Sequence, residues 1–152
     1  MKIGEKAPDF KLVTTTMKSI TNKDFKDKNV VLLFFPLAFT SVCTQEMCVA
    51  SDDMNAYKDL DAEIIGISVD SPFVLQKFGE ENKIGFTLAS DFDRSASKAF
   101  DTLFEDDFLG LTGFSKRSAY VIDKEGIIRY AETTDGKSLP DFEKIKESLK
   151  AL

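Results

Sequence analysis

The residues best suited to chemistry lie close together, in the run Phe34-Phe35-Pro36-Leu37-Ala38-Phe39-Thr40-Ser41-Val42-Cys43-Thr44-Gln45-Glu46-Met47-Cys48. A cysteine is a strong nucleophile only as a thiolate, and a helix N-terminus favours that form through unpaired N–H groups and the positive end of the dipole. Here an apolar strand stops at a proline, a polar turn follows, and Cys43 falls where a helix should begin. The chain has no histidine, so imidazole catalysis is excluded. Positive partners for a thiolate must be backbone amides, lysine or one of the few arginines, Arg94, Arg117 and Arg129. Arg117 enters a strand directly after a glycine-bearing loop, a common place for a functional side chain.

Periodicity supplies the elements that would position these groups. Phe10 to Val13 and Lys18 to Ile20 read as two short strands around the turn Thr14 to Met17. Val30 to Phe35 is a continuous apolar run, the pattern of a strand covered on both faces. Met47, Ala50, Met54 and Tyr57 recur at helical steps, which predicts one helix from about Val42 to Leu60. Glu63 to Val69 is a second buried strand. Ser71-Pro72 opens a helix ending near Asn82. A short strand over Phe86 to Ala89, a short helix over Asp93 to Leu103 and a loop over Glu105 to Ser115 follow. The loop, with Phe108, Leu109, Leu111 and Phe114, is expected to fold over the core rather than to form an exposed patch. Arg117 to Ile122 and Ile127 to Thr134 read as a hairpin around Asp123-Lys124-Glu125-Gly126, and Pro140 opens a last helix. The order predicts an α/β domain with a mixed sheet and helices on both faces.

The 152 residues fit one domain spanning 1–152, with 43% hydrophobic and 30% charged residues. A net charge of −6 and an isoelectric point near 4.8 argue against partners that demand a basic surface, nucleic acid and anionic membrane alike. No secretory signal or membrane-length apolar stretch is visible, so a cytoplasmic, reducing compartment is expected. Two cysteines make no disulfide framework, and without histidine they fall short of a four-ligand zinc site. No cofactor is called for.

Pro36, Thr40 and Cys43 stand at the spacing proline, three residues, threonine, two residues, cysteine, and this run resembles the peroxiredoxin signature. The resemblance covers nearly the whole chain. It includes Gly4 with Ala7-Pro8-Asp9-Phe10, Ile67-Ser68-Val69-Asp70-Ser71, Phe86 to Asp91, and Arg117-Ser118-Ala119-Tyr120-Val121-Ile122-Asp123. It implies a thioredoxin-like fold with an N-terminal β-hairpin. It further implies that Cys43 is a peroxidatic cysteine, attacking a hydroperoxide to give a sulfenic acid. Thr40 would hydrogen-bond peroxide and thiolate, and Arg117 would stabilise the thiolate and the leaving oxygen. Pro36 would shield the site from bulk water. Glu46 would orient Arg117, and the Cys43 N–H would donate to the peroxide.

Cys48 lies five positions beyond Cys43. On a continuous helix that is about 140° of rotation and roughly 7.5 Å of rise, whereas a disulfide wants Cα atoms within about 7 Å and converging Cβ vectors. A Cys43–Cys48 bond therefore requires unwinding. The spacing resembles the peroxiredoxin Q group (bacterioferritin comigratory protein), in which a cysteine here resolves the sulfenic acid. The Leu-Ala-Phe-Thr wording resembles the alkyl hydroperoxide reductase E group, often described as working with one cysteine. The expected partners are a hydroperoxide and a thioredoxin-like reductant, with the chain a monomer or a homodimer. Two other readings stay open: a redox-sensing module that reacts without turnover, and a dithiol–disulfide oxidoreductase. The latter class places two residues between its cysteines, where this chain has four.

Overall fold

The computed structural model describes residues 2–152. Seven strands form one mixed sheet: β1 (Lys11–Thr14), β2 (Ser19–Thr21), β3 (Asn29–Phe34), β4 (Ala62–Ser68), β5 (Thr87–Ser90), β8 (Ser118–Ile122) and β9 (Ile128–Thr133), in spatial order β2-β1-β5-β4-β3-β8-β9. The central strands β3, β4 and β5 run parallel, while β1 and β8 flank them antiparallel. The β1–β2 hairpin and the β8–β9 hairpin close the two edges.

Alternation along β3 explains its unbroken apolar sequence. Val31 and Leu33, with the following Phe35, pack on one face with Cys43, Met47, Tyr57, Leu75, Phe78 and Ile145. Val30, Leu32 and Phe34 pack on the other with Phe10, Leu12, Phe100 and Tyr120. The first face is covered by α1 (Ser41–Asp52), α2 (Met54–Asp59), α3 (Pro72–Asn82) and α5 (Phe142–Lys150); the second by α4 (Ser95–Ala99) and the N-terminal segment. Gly66 on β4 lets α1 approach the sheet closely, since a Cβ there would stand 2.9 Å from the Met47 sulfur and 2.8 Å from Leu88 Cδ2.

Three predicted elements differ. The helix expected from Val42 to Leu60 breaks at Asp53, which ends α1 and precedes α2. Aspartates are poor helix formers, and the Asp53 carboxylate is drawn to Lys146 Nζ of α5 at 2.6 Å. The helix expected over Asp93 to Leu103 shrinks to α4, because Arg94 and Asp101 adopt left-handed conformations at its two ends. The loop over Glu105 to Ser115 is not folded over the core. Its base is a two-stranded ribbon, β6 (Leu103–Phe104) with β7 (Phe114–Ser115), where Phe104 stacks on Phe114 at 4.8 Å. The tip carries Phe108, Leu109 and Leu111 into solvent. Among the described residues, no helix is long and apolar enough to cross a membrane.

Candidate active site

Strand β3 ends beneath the site. Phe35 N–H still bonds Ile67 O at 2.9 Å, and Pro36 then terminates the ladder with its half-buried ring. Residues 37–39 turn the chain, with Phe39 at φ 69° and its ring set edge-on against Phe78 at 5.3 Å. Thr40 is the N-cap residue of α1, yet its side chain makes no capping bond. Its hydroxyl donates instead to Leu37 O at 3.0 Å, and its carbonyl accepts Thr44 N–H at 2.9 Å and Thr44 Oγ1 at 2.8 Å. The first-turn N–H groups of α1 are thus left without a side-chain cap, and Cys43 stands in that turn.

Cys43 is almost fully buried, at 1% exposure, and Glu46 is completely buried. Three residues apart, they share one helix face. Both meet Arg117, itself 97% hidden from solvent by its 3% exposure. Arg117 Nη2 donates to Cys43 Sγ at 3.3 Å and to Gly136 O at 3.2 Å; Nη1 donates to Glu46 Oε2 at 3.3 Å. The planar guanidinium fork suits this shared duty. Among the described residues, one oxygen, Glu46 Oε1, and the Arg117 Nε–H find no partner.

Burial pushes the Glu46 carboxyl up from its usual 4.5 to about 8, against the pull of Arg117 and with the Glu132 charge adding to the rise. A carboxyl that favours its proton competes less for the guanidinium charge and leaves more of it to the sulfur. The sequence expectation that Glu46 orients Arg117 has its geometric counterpart in the 3.3 Å contact from Nη1 to Oε2 between two buried groups. Glu46 also lies in the second turn of α1, not the first.

Arg117 precedes β8, and its flanks are pinned by buried hydroxyls. Ser97 Oγ meets Ser115 Oγ at 2.6 Å, Thr102 Oγ1 meets Ser118 Oγ, and the Asp91 carboxylate accepts from Ser97 Oγ at 2.6 Å. Arg117 O accepts Thr134 N–H at 2.9 Å. The following turn presents the Gly136 carbonyl; Gly136 has φ 87°, a conformation that suits glycine. Sequence reasoning missed this group, because a backbone acceptor leaves no side-chain signature. It also missed Asp70, whose Oδ2 accepts Ala38 N–H at 2.7 Å.

Cys48 is half-buried further along the same unbroken helix, and both cysteines are free thiols. Among the described residues, no cluster of three or more metal-ligating side chains forms. A buried thiol under a guanidinium, at an uncapped helix start, can hold a thiolate and stabilise negative charge leaving an attacked bond.

A model of the AhpC/TSA family matches residues 3–131. Peroxiredoxin Bcp of Bacillus subtilis (strain 168) is 36% identical over 131 residues, covering 83% of this chain and 81% of that protein. The mitochondrial thioredoxin-dependent peroxide reductase of Drosophila melanogaster is 30% identical over 162 residues, covering 100% of this chain and 66% of that protein. The crystal structure of peroxidoxin BcpB from Mycobacterium tuberculosis is 28% identical and matches with a TM-score of 0.88, covering 100% of this chain and 98% of that one. With its mixed, thioredoxin-like sheet and a family match over most of its length, the chain belongs to the AhpC/TSA family and is a thiol-dependent peroxidase, a peroxiredoxin of the Bcp/Q type.

Proposed function

We propose that the chain is a cytoplasmic, single-domain peroxidase that reduces hydrogen peroxide and organic hydroperoxides at Cys43, is resolved by Cys48 and is recycled by a thioredoxin-type dithiol. The observation that carries this reading is the 3.3 Å contact from Arg117 Nη2 to Cys43 Sγ. In the first step the Cys43 thiolate attacks the terminal peroxide oxygen. The S–O bond forms as the O–O bond breaks, and the leaving oxygen departs as water or an alcohol after taking a proton. Arg117 follows the negative charge from sulfur to leaving oxygen. The open N–H groups at the start of α1 and the Thr40 hydroxyl, once it turns from Leu37 O, supply donors to the peroxide. Pro36 keeps bulk water from the sulfur, and Glu46 fixes the guanidinium plane.

In the second step the Cys48 thiol displaces hydroxide from the Cys43 sulfenic acid, giving a disulfide and water. With α1 intact this is geometrically barred, so its first turns unwind. The missing side-chain cap at Thr40 lowers the cost of that unwinding by about 1 kcal/mol relative to a capped start. A thioredoxin-type dithiol then returns two electrons and two protons. Support for this partner comes from the Drosophila relative, named for thioredoxin dependence.

The test is peroxide consumption by purified protein with thioredoxin, its reductase and NADPH. Cys43→Ser should abolish turnover. Activity surviving in that variant would remove the mechanism.

A further inference from the structure

We propose that Asp70 is a positioning residue for the reactive loop, holding residues 36–40 in the shape that brings Thr40 and the open start of α1 to Cys43. The proposal rests on the peroxidase reading above and extends it to a residue outside the Cys43–Arg117 cluster. Asp70 follows β4, and its carboxylate and backbone are seated by serines of two parallel strands. Oδ2 accepts Ser68 Oγ–H at 2.7 Å, the Asp70 N–H donates to Ser68 Oγ at 3.2 Å, and its carbonyl accepts Ser90 Oγ–H at 2.5 Å. Ser68 and Ser90 are buried. The carboxylate is therefore a fixed acceptor rather than a mobile surface acid.

From that seat the same Oδ2 takes the Ala38 N–H at 2.7 Å. Among the described residues, this is the one hydrogen bond joining residues 36–40 to any segment other than α1. The loop's other outward contacts are apolar, among them the Phe39 ring edge on Phe78 and Ala38 against the core. A charge-assisted bond to a half-buried carboxylate is stronger than a neutral one, and it acts at the middle of the turn that sets the direction of α1. Removing it takes away the polar tether of Ala38 and leaves residues 36–40 held by apolar packing. The peroxide step, which needs the ordered loop, then slows. The disulfide step, which needs the loop to open, then quickens.

The experiment compares wild type with Asp70→Ala and Asp70→Asn. It reads the second-order rate of Cys43 sulfenic acid formation, amide hydrogen exchange, and the ratio of disulfide to sulfinic acid under excess peroxide. Asp70→Ala should slow sulfenic acid formation about tenfold. Exchange over residues 38–44 should accelerate while β3 and β4 keep wild-type protection, and the disulfide share should rise. Asp70→Asn, which retains one acceptor, should fall between. If Asp70→Ala unfolds, Asp70→Asn and Ser68→Ala carry the same comparison. Unchanged rate and exchange would overturn the proposal. So would loss of protection throughout β3 and β4 with slower disulfide formation, the mark of a purely structural residue. A wild type that forms no sulfenic acid at Cys43 overturns the underlying peroxidase reading instead. A wild type that forms it normally, with no change in the variants, overturns the role of Asp70 alone.

Discussion

Glu46 sits one helical turn beyond Cys43, and the two side chains take different nitrogens of a single guanidinium. The sulfur and the carboxyl are thus rivals for one positive charge. Burial raises the carboxyl toward about 8, so the further pH falls beneath that value, the more of the charge is left to the sulfur. Above it, ionised Glu46 competes. We expect the wild-type peroxide rate to level or fall on the alkaline side, and Glu46→Gln to lose that feature. Rate–pH profiles by stopped flow decide this; superimposable profiles would dismiss the rivalry.

The same carboxyl links folding to pH. Its folded value, about 8, lies above the ordinary 4.5, so the folded state binds the extra proton. The resulting stabilisation is complete below the unfolded value and is lost as pH rises through the folded one. Relative to Glu46→Gln, wild type should lose stability between about pH 4.5 and about pH 8 and then change no further. Urea unfolding of both proteins across this window measures it. A wild type that gains on the variant as pH rises would show the sign to be wrong.

Replacing Arg117 should be severe. In the proposed mechanism Arg117→Gln removes the charge that would follow electrons onto the leaving oxygen, and the expected loss is about 100- to 1000-fold in peroxide rate. Thiolate absorbance at a fixed neutral pH should fall with it. Arg117→Lys should recover only part, since a point charge cannot serve Cys43, Gly136 and Glu46 together. Equal thiolate absorbance in wild type and Arg117→Gln would take the guanidinium out of the account.

Cys48→Ser separates attack from resolution. The first oxidation should proceed at the wild-type rate, the intramolecular disulfide should be absent by mass spectrometry, and excess peroxide should drive Cys43 on to sulfinic acid. Normal turnover with thioredoxin in this variant would make the chain a one-cysteine peroxidase with Cys48 a packing residue.

Gly136→Ala tests the backbone acceptor on Arg117. A Cβ at Gly136 meets nothing within 4 Å, so the change acts through its φ of 87° alone. A left-handed alanine costs roughly 1–2 kcal/mol. Relaxing the turn should release Arg117 Nη2 and lower the peroxide rate severalfold with little change in secondary structure by circular dichroism. A rate equal to wild type would mean that Glu46 and Cys43 suffice to aim the guanidinium.

Local patterns were readable in the sequence, and distant hydrogen bonds were not. The apolar run Val30 to Phe35, the cap Ser71 with Pro72, and the turn before Gly126 each declare an element through adjacent residues. Spacing within one helix puts Cys43 and Glu46 on one face before any coordinates. The bond from Ala38 to Asp70 spans 32 residues and ends on a main-chain N–H, so no motif announces it. The break at Asp53 interrupts a good apolar period, and the Lys146 that its carboxylate meets lies 93 residues away. The exposed ribbon around Phe108 went unread because aromatic residues suggest a core, whereas Phe104 and Phe114 cover each other.

The guanidinium lies 74 residues after the sulfur in sequence. On the ribosome, Cys43 therefore emerges well before Arg117, and longer still before the turn at Gly136. A nascent chain carries its thiol before the guanidinium that meets it in the fold. Their 3.3 Å contact can form only after the chain through Arg117 has been made.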